Sequence, residues 1–302
     1  MASHVECIQQ ANAILGEGPL WDWRTGDLFW IDIRRQQIFR HNLKTGRQTG
    51  QWATSERIGC VALTSQPDTL LVAAGLTVSQ MDLATGDFTL LADLSAGRPG
   101  QRFNDGKVDA AGRLWVGTML DDFLGPERFD GGGLHRIDPD GTVTYFGEYL
   151  LPNGIGWTTD NKSMIFSDTV AASTYAFDFD VAAGTATNRR TIHRFEPEDG
   201  GPDGLTIDAD DNIWSAMWDG WCLIKLSQEG EELERIQMPV RRPSSVTFGG
   251  ENLDQMLITS ATVDFTSADY LKSPQAGGLF AMRCGVTGKR ENLFGLNGAD
   301  SQ

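Results

Sequence analysis

Two carboxylates and two side-chain amides begin copies of a motif that recurs along the chain. The residues are Glu17, Asn104, Asn153 and Asp203, and their motifs read EGPLWD, NDGKVD, NGIGWT and DGLTID. If the fold brings these side chains together, the carboxylates repel each other, and burying both without a cation is costly. A hard divalent cation removes that cost, because it binds carboxylate and amide oxygens and keeps positions for water. The pattern therefore predicts a metal site built from oxygen ligands.

Two further motifs complete a set of six: GCVALT begins at Gly59 and SSVTFG begins at Ser244. Each motif starts about 10 to 12 positions ahead of a short apolar segment with the pattern of a strand. These segments are LFWID (28–32), LLVAAG (70–75), LWVGT (114–118), MIFSD (164–168), IWSAM (213–217) and MLITS (256–260). Their mean spacing of about 46 residues is the period of a propeller blade.

The elements between these segments also predict an all-β fold. Hairpin signals such as KTG (44–46) and PDG (139–141) recur, AFDFDV (176–181) alternates with period two, and no convincing amphipathic helix is found. A parallel β-helix or an open β-sandwich has much shorter strand spacing. We therefore predict one six-bladed β-propeller domain over residues 1–302, with VECI (5–8) completing the last blade beside GGLFAMRC (277–284).

Corresponding positions of the blades in a propeller project at one height toward the central axis. Glu17, Asn104, Asn153, Asp203 and Ser244 are therefore expected to form a ring at one end of the channel, where Gly59 occupies the sixth, small position. We call these six positions the channel ring. The ring would give the predicted metal its ligands.

Composition narrows the partners and the location. The 302 residues are 40% hydrophobic, and their formal net charge is -16, which repels nucleic acid phosphates and anionic membranes. No apolar stretch reaches the roughly 18 residues of a membrane span, and the first ten residues lack a signal-peptide pattern. The four cysteines are far apart and form no CxxC pair. We expect a cytoplasmic protein, a monomer or weak homo-oligomer, that binds neither nucleic acid nor membranes.

Other hydrolytic chemistries are disfavoured. The chain has no GxSxG motif, and its four histidines form no HxxxH or HxxE pair, which argues against a serine hydrolase or a His-bound zinc enzyme. Oxygen ligands favour calcium, magnesium or manganese over zinc. Carboxylate sites also accept zinc, so all four metals stay open.

At these motifs the chain resembles the gluconolactonase and regucalcin (senescence marker protein) family of sugar lactonases. The matching segments are LGEGPLWD (15–22), RFNDGKVDAAGRLWVGTM (102–119), LPNGIGW (151–157), PDGLTID (202–208) and AGGLFA (276–281). The resemblance implies a six-bladed propeller, one divalent metal and the hydrolysis of sugar (aldono-) lactones to aldonic acids. Such an enzyme is a carboxylic ester hydrolase.

The resemblance also implies roles for individual residues. Glu17, Asn153 and Asp203 match the three metal ligands of the family, and Asp203 matches its general base as well. Arg102 and Asn104 match its substrate-binding pair in RFND. Asp122 falls where family members often carry glutamate, and the shorter aspartate leaves the sugar preference open.

These roles suggest a mechanism in which the metal polarises the lactone carbonyl and Asp203 takes a proton from the attacking water. Arg102 and Asn104 would bind substrate hydroxyls. One alternative is a metal-dependent propeller hydrolase for other esters or organophosphates, which predicts a more apolar channel mouth. Another is a non-catalytic propeller that binds calcium or a protein partner. Trp157, Trp218 and Trp221 lie near the predicted mouth, although packing is their favoured role.

Overall fold

The polar motifs form the first strand of each of six antiparallel sheets in the computed structural model, which describes residues 4–121 and 132–295. Each sheet has four strands. The first strand of every sheet contacts the first strand of the next sheet, and the sixth contacts the first, so these strands surround a central channel. The predicted six-bladed β-propeller is confirmed.

The first three blades follow one another along the chain. Blade 1 consists of β2 (Gly16–Asp22), β3 (Asp27–Asp32), β4 (Gln37–Asn42) and β5 (Arg47–Ala53). Blade 2 consists of β6 (Ile58–Leu63), β7 (Thr69–Ala74), β8 (Thr77–Asp82) and β9 (Phe88–Asp93). Blade 3 consists of β10 (Gln101–Val108), β11 (Leu114–Leu120), β12 (Gly133–Ile137) and β13 (Val143–Glu148).

The last three blades repeat this order, and the sixth takes its outer strand from the beginning of the chain. Blade 4 consists of β14 (Pro152–Trp157), β15 (Ser163–Asp168), β16 (Ser173–Asp180) and β17 (Thr185–Arg194). Blade 5 consists of β18 (Gly201–Ile207), β19 (Ile213–Trp218), β20 (Cys222–Leu226) and β21 (Glu232–Gln237). Blade 6 consists of β22 (Pro243–Gly249), β23 (Gln255–Ser260), β24 (Leu279–Arg283) and β1 (Glu6–Gln9).

The closure of the ring is as predicted, because β1 pairs with β24 and Glu6 lies opposite Ala281. The six apolar segments are the second strands of their blades. Helical structure in the described ranges is limited to α1 (Ser267–Lys272) and one 3₁₀ turn (Pro197–Asp199). In that part of the chain, no helix is long and apolar enough to cross a membrane.

Apolar side chains of the second strands fill the space between blades. Trp30, Trp115 and Trp214 are among the largest fully buried side chains. Two of these indoles are held by buried carboxylates: Trp115 Nε1 donates to Asp109 Oδ2 at 2.8 Å, and Trp214 Nε1 donates to Asp208 Oδ2 at 3.0 Å. These contacts give Asp109 and Asp208, which lie at hairpin turns, a structural role.

Every first strand carries a β-bulge at its channel-ring position. The register shifts between Asn153 and Ile155 in β14, for example, and between Pro202 and Leu205 in β18. Corresponding shifts occur in β2, β6, β10 and β22. A bulge bends the strand and changes the direction of a side chain. The repeated bulge therefore aims one residue per blade differently from the regular alternation of the strand.

A C-terminal segment, residues 284–295, crosses the channel end opposite the ring and contacts all six blades. Four of its contacts are to blades 1 to 4: Trp23 Nε1 to Glu291 O at 3.4 Å, Phe294 N to Leu63 O at 2.8 Å, Asn292 Nδ2 to Val108 O at 2.9 Å and Lys289 Nζ to Trp157 O at 2.6 Å. Blades 5 and 6 are contacted through Ala209 N to Thr287 O and Gly288 N to Leu253 O, both at 2.8 Å. This segment therefore ties the six blades together at that end of the channel.

Candidate functional site

A cavity of about 280 Å³ lies at the ring end of the channel. Its polar lining comes from four blades and consists of Glu17, Arg102, Asn104, Asn153 and Asp203, together with Arg34 and Thr169. Thus four of the six channel-ring residues share one cavity. The predicted metal ligands and the predicted substrate-binding pair are brought together.

Glu17 and Asp203 place two carboxyl groups in this cavity with little access to solvent, at 8% and 5% relative exposure. Burial, followed by the negative charge of Asp105, raises the pKa of Glu17 from 4.5 to about 8. Burial also raises the pKa of Asp203 well above its ordinary value, with Glu17 and Asp105 adding to the effect. Among the described residues, neither carboxyl forms an ion pair with Lys, Arg or His. The cavity therefore favours a bound cation or a proton.

Asn153 joins the two sides of this polar cluster. Its Nδ2 donates to Asp203 Oδ1 at 2.5 Å and to Thr169 Oγ1 at 3.0 Å. The Thr169 hydroxyl donates in turn to Pro202 O at 2.7 Å. Both amide hydrogens are therefore used, and the amide oxygen Oδ1 is left to accept. Two carboxylates and one amide oxygen fit a hard divalent cation. In the described ranges, no three His, Cys, Asp or Glu side chains come together as a metal site.

Arg102 and Asn104 lie beside this cluster and bind each other. Arg102 Nη1 donates to Asn104 Oδ1 at 3.1 Å and to Phe103 O at 2.8 Å, and Arg102 Nε donates to Asp121 Oδ1 at 2.9 Å. Asn104 Nδ2 donates to Pro152 O at 2.9 Å, across the junction of blades 3 and 4. Burial lowers the pKa of Arg102 to about 10, so the guanidinium stays charged near neutral pH.

Two buried aspartates fix the strands that carry Glu17 and Asn153. Asp32, at the end of β3, accepts from the backbone N–H groups of Ile14 and Leu15 at 2.9 and 3.2 Å. Asp168, at the end of β15, accepts from the corresponding N–H groups of Leu150 and Leu151 at 2.8 and 3.1 Å. Each carboxylate thus ties down the backbone two to three residues before a ring residue.

Comparison with known proteins identifies the family. The family model described as "SMP-30/Gluconolactonase/LRE-like region" matches residues 15–262. The chain belongs to this family. Regucalcin from Danio rerio is 33% identical over 278 residues, which cover 91% of this chain and 92% of the relative.

Solved structures agree with this assignment of the SMP-30/gluconolactonase/LRE-like family. Regucalcin from Agrobacterium tumefaciens, described as a calcium-binding protein, superposes with a TM-score of 0.91 at 27% identity and covers 98% of this chain and 99% of that one. A luciferin-regenerating enzyme superposes with a TM-score of 0.90 at 27% identity, covering 98% and 100%. The resemblance read from the motifs is confirmed.

Within this family fold, two ring positions lie outside the cavity lining. The Ser244 hydroxyl turns away from the cavity and lies 2.5 Å from Gly16 O and 2.9 Å from Thr259 Oγ1. Gly59 packs so closely on blade 3 that a Cβ there would lie 2.5 Å from the carbonyl oxygen of Asn104. Asp122, predicted to contact substrate, lies outside the described residues.

The tryptophans near the predicted mouth differ in position. Trp157 is buried, and its ring lies 6.4 Å from Trp115 and 5.7 Å from Phe179, measured between ring centroids. It packs as favoured, but its predicted position near the mouth is wrong, because it lies at the opposite end of β14 from Asn153, beside Lys289. Trp218 lines the cavity and lies under the guanidinium of Arg242, 4.7 Å from the ring centroid.

Three residues of the site carried no signal that sequence reasoning used. Thr169 holds the Asn153 amide, Asp121 pairs with Arg102, and Arg57 donates to the same Asp121 Oδ1 at 2.5 Å. Thr169 directly follows Asp168, a predicted strand end, so a polar residue there was a usable signal. The contacts of Asp121 depend on the packing of blade 2 against blade 3, which no local pattern shows.

The outer part of the cavity is apolar. Two leucines, Leu15 and Leu151, stand two residues before Glu17 and Asn153. The other apolar lining residues lie on or after strands of five blades: Ile33, Met119, Val170, Trp218 and Val263. We call these five residues, together with Leu15 and Leu151, the apolar wall. The site thus combines a polar floor with a hydrophobic mouth.

Proposed function

We propose that this protein is a metal-dependent hydrolase that opens lactones to hydroxy acids, with sugar (aldono-) lactones as the class that its family suggests. The observation that carries the proposal is the buried set of two carboxyl groups and one free amide oxygen, from three blades, at the floor of one cavity. Burying two carboxylates near each other is unfavourable, and a purely structural role does not explain it. A divalent cation that binds both carboxylates and also polarises an ester substrate does explain it.

Glu17, Asn153 and Asp203 are the residues that would bind the cation, through carboxylate oxygens and the amide Oδ1. When bound, the cation would polarise the lactone carbonyl and stabilise the negative charge that develops on its oxygen. Calcium, magnesium, manganese and zinc all suit these donors. The calcium-binding description of the Agrobacterium relative supports calcium as the first metal to test.

Asp203 is the proposed general base. Its Oδ1 accepts from Asn153, so Oδ2 is the oxygen that takes the proton of the attacking water. Water adds to the carbonyl carbon, the ring C–O bond breaks, and the ring oxygen receives a proton to become the hydroxyl of the product. The product carboxylic acid then releases its proton to solvent, which a pH indicator detects.

Arg102 and Asn104 are the proposed substrate contacts. Arg102 Nη2 and one N–H of the Asn104 amide are not used in the contacts that fix the pair. Each can donate to a substrate oxygen beside the floor of the cavity. A substrate contact by Asp122 stays a prediction. A cytoplasmic location, a single domain over residues 1–302, a monomer or weak oligomer and no nucleic acid or membrane partner also stay predictions.

A second candidate function has a specific observation in its favour. The apolar wall is the feature expected of a hydrolase for other esters, and it supports ester hydrolysis as the second candidate. A non-catalytic calcium-binding propeller is the third possibility, and it needs no base.

The test is a pH-indicator assay over pentonolactones and hexonolactones and a panel of simple esters, with chelator treatment followed by addition of each metal. We expect lactone hydrolysis that the chelator abolishes and one metal restores. Asp203→Asn should lose nearly all activity, whereas Asp210→Asn, the same charge change at an exposed position of blade 5, should keep the parent rate. No lactone hydrolysed with any metal contradicts the proposal, and so does full activity of Asp203→Asn.

A further inference from the structure

The polar groups at the floor of the cavity are largely occupied by one another. The Asn104 amide oxygen accepts from Arg102, its Nδ2 donates to Pro152 O, and Arg102 also donates to Asp121. Both Nδ2 hydrogens of Asn153 are used inside the protein. A polyhydroxylated lactone offers a hydroxyl on nearly every carbon. Among the described residues, the floor therefore has free donors for one or two of those hydroxyls rather than for all of them.

The apolar wall faces the remaining surface of any bound lactone. It comes from blades 1, 3, 4, 5 and 6, so it surrounds the outer cavity rather than forming one isolated patch. Hydroxyl groups placed against it would lose water without gaining hydrogen bonds, which is costly. Alkyl groups placed there would leave water at a gain in free energy.

We propose that this site prefers a lactone with an apolar ring substituent over a fully hydroxylated one. The preference rests on the proposed lactone hydrolysis. In this arrangement the ester group lies at the polar floor near Asp203, and the substituent points outward between Leu151 and Val170. Arg34, half-buried at the rim, accommodates one polar group beside the substituent.

Three six-membered lactones test the preference. δ-Valerolactone carries no substituent, δ-octanolactone adds one propyl group to the same ring, and δ-gluconolactone carries hydroxyl groups instead. We expect kcat/KM for δ-octanolactone to exceed that for δ-valerolactone by ~10-fold or more, because each buried methylene favours the transition state several-fold. It should also exceed the value for δ-gluconolactone, after spontaneous hydrolysis is subtracted.

A matched pair of variants tests whether the wall is the cause. Leu151→Asn puts an amide into the wall, whereas Leu150→Asn makes the same change at the neighbouring residue, which is 42% exposed and does not line the cavity. Leu151→Asn should lower the propyl-over-unsubstituted ratio at least ~3-fold, and Leu150→Asn should leave it at the parent value. Val170→Thr, which keeps the side-chain shape, replaces Leu151→Asn if circular dichroism shows that Leu151→Asn does not fold.

The outcomes separate the two proposals. If all three lactones are hydrolysed but the propyl group brings no gain, or δ-gluconolactone is preferred, the apolar preference is wrong and lactone hydrolysis stands. If the preference persists unchanged in Leu151→Asn and Val170→Thr, the wall is not its cause and the inference fails. If no lactone is hydrolysed with any metal, the proposed function is wrong, and the preference fails with it.

Discussion

Replacing Thr169 by valine removes the hydroxyl that fixes the Asn153 amide, and we expect the affinity for the divalent cation to fall about tenfold. In the parent, Thr169 Oγ1 accepts from Asn153 Nδ2 at 3.0 Å and donates to Pro202 O at 2.7 Å. These two bonds turn the amide so that its oxygen stays available to the cation. They also tie blade 4 to blade 5 beside Asp203.

The structure sets the magnitude. Valine leaves the bond from Asn153 Nδ2 to Asp203 Oδ1, so one of two restraints on the amide persists. Loss of an outer partner of a metal ligand costs about 10- to 100-fold in affinity, and the remaining restraint places this variant at the lower end. A tenfold change is about 1.4 kcal/mol, close to the net value of one hydrogen bond.

Isothermal titration calorimetry of the metal-free protein with calcium, and then with magnesium, manganese and zinc, measures this affinity without any substrate. Thr169→Ser keeps the hydroxyl and should bind within about twofold of the parent. Thr174→Val is the matched control, because Thr174 is buried in the same blade and its hydroxyl lies 3.0 Å from Ser167 Oγ, away from the cavity. It should lower stability and leave metal affinity unchanged.

Two results would refute this reasoning. Parent-like affinity in Thr169→Val would show that Asn153 needs no help from Thr169. Equal weakening in Thr169→Ser would assign the effect to packing of the methyl group rather than to the hydroxyl. A parent protein that binds none of the four cations would instead contradict the proposed function itself.

Four further predictions follow from particular contacts. Folding raises the pKa of Glu17 from 4.5 to about 8, so its stabilising contribution is full below pH 4.5 and is lost as the pH rises through about 8. The melting temperature of the metal-free parent should therefore fall over that range relative to that of Glu17→Gln. The same pH dependence of the melting temperature in both proteins would contradict this. Phe294→Ala should cost about 3 kcal/mol in urea unfolding, because this ring of the C-terminal segment is buried in the core between blades 2 and 3; a loss under about 1 kcal/mol would show that the segment contributes little. Ser244→Ala should keep the parent kcat/KM and lose about 1 kcal/mol of stability, because its hydroxyl bonds the backbone outside the cavity; a large loss of activity would place Ser244 in the site after all. Gly59→Ala should lower both the melting temperature and kcat/KM, because the new Cβ would lie 2.5 Å from the carbonyl oxygen of Asn104 and 2.6 Å from the carbonyl carbon of Phe103, so that the backbone of blade 3 must shift; an unchanged melting temperature would show that blade 3 adjusts without cost.

The fold was predictable because each blade of a propeller corresponds to one repeat of about the same length in the sequence. The six apolar segments lie within two residues of the observed second strands, and the closure through β1 follows from the one strand pattern left over at the beginning of the chain. The polar motifs were placed ahead of the predicted strands, whereas they are themselves the first strands of the blades and surround the channel. Their glycines and bulges conceal the ordinary alternation of a strand.

The sequence predicted which residues of the site occupy equivalent positions in the blades, but not the direction of every side chain. Glu17, Asn104, Asn153 and Asp203 do share a cavity, as equal positions in equal blades require. Ser244 has the same register but not the same direction, because its short side chain finds an acceptor in Gly16 O across the blade junction. Side-chain direction at a bulge depends on such neighbours, and the neighbours lie in other blades.

The apolar wall could not be predicted from its residues. Leu151 and Val170 look like ordinary strand-flanking residues, and nothing in their spacing separates a cavity wall from a packed core. Only the arrangement of blades shows that these side chains face an open volume. The motifs of the family pointed to sugar hydroxyls, whereas the cavity itself is mostly hydrophobic at its mouth.

The C-terminal segment that spans all six blades has a kinetic consequence. Among the described residues, 284–295 lie across the end of the channel opposite the ring, so under the proposed function substrate and product would share the cavity at the ring end. A product acid that lingers in the cavity blocks the next lactone from the same position. Product inhibition should therefore be competitive with respect to the lactone.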